Sequence, residues 1–111
     1  MSAAPDHPIA VFITAPDKEE ASRLAHMLVD RKLAACVQIL PEMESVYRWQ
    51  GNIERQREVL LIAKTLATKF AELEREVRAL HSYETPEIVS IPFMALSEPY
   101  RQWLKVSVMT D

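Results

Sequence analysis

Hydrophobic periodicity in this chain switches between two residues and 3.6 residues in a fixed order: strand, helix, strand, strand, helix, strand. Residues 9–15 are a short β-branched run that reads as a strand covered on both faces. Asp17, with Glu20 three residues on, reads as the N-cap and capping-box pair of a first helix. Its apolar stripe is Ala21, Leu24, Ala25, Leu28 and Val29, and Arg31 and Lys32 suit its negative end. A second strand covers 35–40, breaks at Pro41 and resumes over 43–50. The sole glycine, Gly51, lies in Gln50-Gly51-Asn52, where a tight hairpin requires a residue tolerant of positive φ. Residues 53–65 return as the third strand, on arms long enough for the hairpin tip to project. Leu66, Phe70, Leu73, Val77 and Leu80 mark a second amphipathic helix. Residues 87–91 form a fourth strand ended by Pro92, and Ser97 caps a short last helix bearing Tyr100, Trp103 and Leu104.

This order defines an α+β, ferredoxin-like split βαβ sandwich. Proline cannot donate to a ladder and belongs on edges or bulges. Pro41 and Pro92 therefore put strands two and four outside and strands one and three inside, giving the antiparallel order 4-1-3-2. Two helices cover one face of such a sheet. The other face is left with alternate residues of each strand, and neither set is polar: Ile9, Val11, Ile13 against Ala10, Phe12, Thr14, and Val59, Leu61, Ala63 against Leu60, Ile62, Lys64. Each bulky side chain left wet forgoes about 1.5–3 kcal/mol of burial. Either the last helix folds over that face or copies of the chain cover it. The last helix is short, which favours self-association.

At 111 residues the chain is one domain, read as a flexible leader over 1–8 and a single domain over 9–111. The net charge of −3 is spread along the chain, without the concentrated basic face that nucleic acid requires. One cysteine excludes an internal disulfide framework and suits a reducing compartment. No secretory signal and no apolar run of about 20 residues is visible. A cytoplasmic protein with neither membrane nor nucleic-acid partners is expected.

Five stretches go beyond periodicity. They are Thr14-Ala15-Pro16-Asp17, Leu33-Ala34-Ala35-Cys36-Val37, Ser45-Val46-Tyr47-Arg48-Trp49, Glu58-Val59-Leu60-Leu61-Ile62 with Lys64-Thr65, and Tyr83-Glu84-Thr85-Pro86-Glu87-Ile88. In this order and spacing the chain resembles the CutA divalent-cation-tolerance family from about residue 9 to 106. The resemblance implies a tight homotrimer with the long hairpin between subunits, and an association with tolerance of divalent metals, notably copper. It also implies a likeness to the trimeric PII signalling proteins, which bind effectors between subunits. Two positions depart from the family pattern: Ser82 stands where proline is usual after the histidine, and Glu42 where glycine is usual after Pro41.

The chemistry-bearing residues are few. No Cys-x-x-Cys, His-Glu-x-x-His or paired histidines occur. His7 falls in the leader and His26 on the solvent side of the first helix. Cys36 and His81 are the candidate metal ligands, for copper or zinc, yet the topology sets them at opposite ends of the sheet. The plain alternatives are a small buried hydrophobe for Cys36 and a helix C-terminal cap for His81. The cysteine that some family members carry before Thr-Ala-Pro-Asp is Ile13 here. Tyr47 is expected to anchor an interface, and Lys64, interrupting an apolar strand, to need Glu58, Glu84 or Glu87 as partner. From the resemblance, the candidate site is an inter-subunit cleft of Trp49, Glu58, Lys64, His81, Tyr83 and Glu84. The expected function is a non-catalytic module that binds a divalent cation or small effector there, with no required cofactor. The alternative is a PII-like or structural adaptor docking other proteins, and Arg55 and Arg57 near the tip are the residues to mutate for it.

Overall fold

The computed structural model describes residues 4–109. Its elements are β1 (Pro8–Ala15), α1 (Lys18–Asp30), β2 (Cys36–Trp49), β3 (Asn52–Leu66), α2 (Phe70–Leu80), β4 (Ile88–Pro92) and α3 (Glu98–Ser107). The sheet order is β2-β3-β1-β4, the expected order counted from the other edge. β1 is antiparallel to both neighbours, in register from Pro8↔Leu66 to Ala15↔Val59 with β3 and from Ile9↔Pro92 to Ile13↔Ile88 with β4. Each of the two long helices therefore joins parallel strands split by a third.

Alternation assigns the faces. Ile9, Val11, Ile13 and Ala15 of β1 lie with Val59, Leu61 and Ala63 of β3 in the main core, under Ala21, Leu24 and Leu28 of α1 and Leu73 and Val77 of α2. The stripe expected for the second helix is shorter than its sequence pattern. Leu66 is the last residue of β3, a 3-10 turn over Ala67–Lys69 follows, and Leu80 is exposed. Leu66 instead packs with Ala35 against Leu104 of α3 and Val108, the residue that caps it.

So α3 does cover the second face, but only at the Leu66 end. The rest of that face stays apolar and open: Phe12, Leu60 and Ile62 are half-buried, and Leu40, Val89 and Ile91 are 45%, 50% and 45% exposed. Part of the stretch read as a leader contacts the domain. The Pro5 and His7 carbonyls accept the Thr68 and Ala67 N–H groups at 2.7 and 2.8 Å, and Pro8 already belongs to β1. Residues 1–3 of that leader, and 110–111 of the expected domain, lie outside the described residues.

β2 and β3 pair from Cys36↔Lys64 to Trp49↔Asn52, with an irregularity between Leu40 and Met43 where Pro41 falls. Gln50 (φ 50°) and Gly51 (φ 83°) form the two-residue turn, both left-handed as a primed hairpin turn demands. Glu42, in the irregularity, is also left-handed at φ 45°. This is the position where glycine is usual in the resembled family.

Candidate functional site

Beyond Val59 the β2–β3 arms leave the body, and Gln56 and Glu58, two residues apart, share the face that Leu60 and Ile62 continue. The loop after α2 brings Tyr83 over them. The Tyr47 hydroxyl donates to Gln56 Oε1 (2.7 Å), Gln56 Nε2–H donates to the Tyr83 hydroxyl oxygen (3.2 Å), and that hydroxyl donates to Glu58 Oε2 (2.9 Å). Burial first, then the hydrogen bond and the charge of Glu58, push the Tyr83 phenol well above the ordinary tyrosine range. It therefore stays protonated and remains a donor. Glu58 is only 7% exposed, yet no ion pair to it occurs among the described residues. Tyr47, Trp49, Gln56, Tyr83, Glu84 and Thr85 line a cleft of about 210 Å³ in front of this chain of bonds.

His81 sets the loop. Its backbone N–H closes α2 on the Val77 carbonyl (2.8 Å), while its side chain turns away from the helix end. Its ring is buried: Nδ1 accepts the Tyr83 N–H (3.0 Å), which leaves Nε2–H to donate to the Thr14 carbonyl (2.7 Å). The Tyr83 ring lies 4.8 Å from it, tilted by 46°. Glu20 completes the arrangement. Asp17 caps α1 by accepting the Glu20 N–H (2.8 Å), but the Glu20 side chain does not return to close a capping box. Its Oε2 accepts the Ser82 N–H (2.9 Å) and hydroxyl (3.0 Å) and lies 3.2 Å from His81 Nδ1. Ser82 thus supplies two donors where proline would offer none.

The expected site residues divide into two groups. Trp49, Tyr83 and Glu84 line the cleft, with Glu58 bonded to the Tyr83 hydroxyl behind it and His81 holding the Tyr83 N–H. Lys64 does not join them within one protomer. It pairs with Cys36 and Ala10 across the ladder, six residues along β3 from Glu58, about 20 Å at strand rise. Its ammonium sits 5.7 Å from the Tyr100 ring centroid rather than beside Glu58, Glu84 or Glu87. Cys36 lies there too, half-buried, with Sγ 3.7 Å from the Tyr100 hydroxyl. Burial, then that contact, raise the Tyr100 phenol to about 12.

The two candidate metal ligands, Cys36 and His81, do not meet within one protomer. Cys36 pairs with Lys64 at the level of Ala10, with β3 between them, whereas His81 bonds Thr14, about 13 Å further along β1, and both His81 nitrogens are engaged. Among the described residues no group of three His, Cys, Asp or Glu could hold a metal ion. His26 is exposed on α1, and His7 Nε2 donates to the Phe93 carbonyl (3.0 Å). Sequence reasoning had missed Gln56, Glu20 and Ser82 as parts of the site. Alternation along β3 placed Gln56 beside Glu58, whereas nothing local tied residue 20 to residue 82.

A split βαβ sheet with an overlong hairpin and a loop-backed aromatic cleft defines a small α+β module built around a sheet face. The chain belongs to the family described as CutA1 divalent ion tolerance protein, whose model matches residues 9–107. The "Divalent-cation tolerance protein CutA" of Thermus thermophilus is 44% identical over 95 residues, covering 86% of this chain and 92% of that one. The "Protein CutA, chloroplastic" of Arabidopsis thaliana is 42% identical over 99 residues, 89% of this chain, which spans about half (54%) of that relative's length. The solved structure of the periplasmic divalent cation tolerance protein CutA from Archaeoglobus fulgidus superposes with a TM-score of 0.89 at 42% identity, covering 92% of this chain and 99% of that one. Relatives thus carry chloroplastic and periplasmic names. In this chain, no helix among the described residues is long and apolar enough to cross a membrane.

Proposed function

We propose that this protein acts without catalysis, as a cytoplasmic homotrimer whose subunits cover one another's open sheet faces. The cleft of Trp49, Tyr83 and Glu84, backed by Glu58, then lies at a subunit boundary and receives a small effector in the response to divalent cations, copper among them. The observation that carries this reading is the half-exposed apolar strip of Phe12, Leu40, Leu60, Ile62, Val89 and Ile91, which α3 leaves open. His81 is a positioning residue: it holds the Tyr83 backbone and ring while the Tyr83 hydroxyl closes on Glu58.

Tolerance on this reading works through assembly and the cleft, not through chelation by Cys36 and His81. Calorimetric titration of the metal-free protein with copper, zinc and cadmium tests it. The expected result is no saturable uptake that depends on Cys36 or His81. One tight equivalent per chain, lost in Cys36→Ala or His81→Ala, would replace this reading with direct chelation.

A further inference from the structure

We infer that the cleft of Tyr47, Trp49, Tyr83 and Glu84 binds a small organic ammonium ion. The inference rests on the cleft being a ligand site, and it adds the ligand's chemistry. Three of the six lining residues are aromatic, one is a carboxylate, and none is lysine or arginine. A cation is attracted to the faces of tryptophan and tyrosine by the ring quadrupole, most strongly where water is displaced. At about 210 Å³ the cleft is smaller than the roughly 300–1,000 Å³ of ordinary ligand pockets, so it suits an alkylammonium head better than a nucleotide.

Two further observations favour positive charge. Glu58, directly behind Tyr83, is a buried carboxylate held by a phenol and by no cation among the described residues. A bound ammonium would offset that charge together with Glu84. The walls are also fixed in advance, because Tyr47 and Tyr83 are both tied to Gln56, and Tyr83 also to Glu58 and His81. A bare metal ion would instead need several converging oxygen, nitrogen or sulfur donors, and aromatic faces provide none.

The chain has two tryptophans, Trp49 and Trp103, so two indole N–H resonances report on the intact protein. Titration with choline chloride is expected to move the Trp49 resonance saturably and leave Trp103 in place. 3,3-Dimethylbutanol, the neutral isostere of choline, is expected to bind at least tenfold more weakly, and sodium chloride at equal ionic strength to do nothing. Glu84→Gln should weaken choline binding severalfold, and Trp49→Phe by less than Trp49→Ala as read by ligand-observed spectra. Equal binding of choline and its isostere, or no saturable shift of Trp49, would overturn the inference. A trimer that ignores choline would remove this inference alone, whereas a monomer would remove the assembly reading.

Discussion

Gly51 and Glu42 adopt the same left-handed backbone with opposite consequences for mutation. At Gly51 a Cβ would meet nothing within 4 Å, so Gly51→Ala carries only the backbone penalty, a loss of about 1 kcal/mol in chemical denaturation. Glu42→Gly relieves that penalty and forfeits only an exposed ion pair to Arg57 (3.6 Å), so a gain of about 0.5–1 kcal/mol is expected. The turn at Gly51 was legible because glycine is the residue it demands. The strain at Glu42 arises from strand pairing across Pro41 and has no local sign. Glu20 misleads for the same reason: its spacing from Asp17 fits a capping box, but the Ser82 donors compete for the buried carboxylate and win. The raised tyrosines set an alkaline limit. Above the ordinary pKa of 10.0 the unfolded chain releases the Tyr100 proton while the folded chain keeps it to about 12, so stability falls as pH rises between these values. Denaturation midpoints measured across that range should drop, and drop less in Tyr100→Phe.

Among the elements, α3 is the one whose role was least visible beforehand. Its length argued against a covering role, yet Leu104 is fully buried against Ala35, Leu66 and Val108. Leu104→Ala is expected to cost about 2–4 kcal/mol, whereas Leu80→Ala, at an exposed position that fits the α2 period, should cost under about 1 kcal/mol. Thermal unfolding of the two variants side by side decides this, and equal losses would return Leu80 to the core. The strand order and hairpin were readable from proline and glycine placement, since both residues act on the backbone directly. The ends of α2 were not, because Leu66 satisfies the period of either a strand or a helix.

At the scale of the whole molecule, the apolar strip along Val89 and Ile91 on β4, Phe12 on β1, Leu60 and Ile62 on β3 and Leu40 on β2 crosses all four strands. Such a continuous strip is costly to leave in water. Ile91→Glu places a charge in it without touching the main core, and should dissociate an assembly while leaving the helical circular-dichroism signal intact. The sequence showed that both faces of the sheet are apolar, but not how much of the second face α3 would take. Which side chains meet across the loop after α2 was equally out of reach, since residues 14, 20, 58 and 81–83 converge only in three dimensions. The most direct measurement is the solution mass of the unmodified protein by light scattering at low micromolar concentration. A trimer of about three times the 12.7 kDa chain mass is expected. A stable 12.7 kDa species would contradict it.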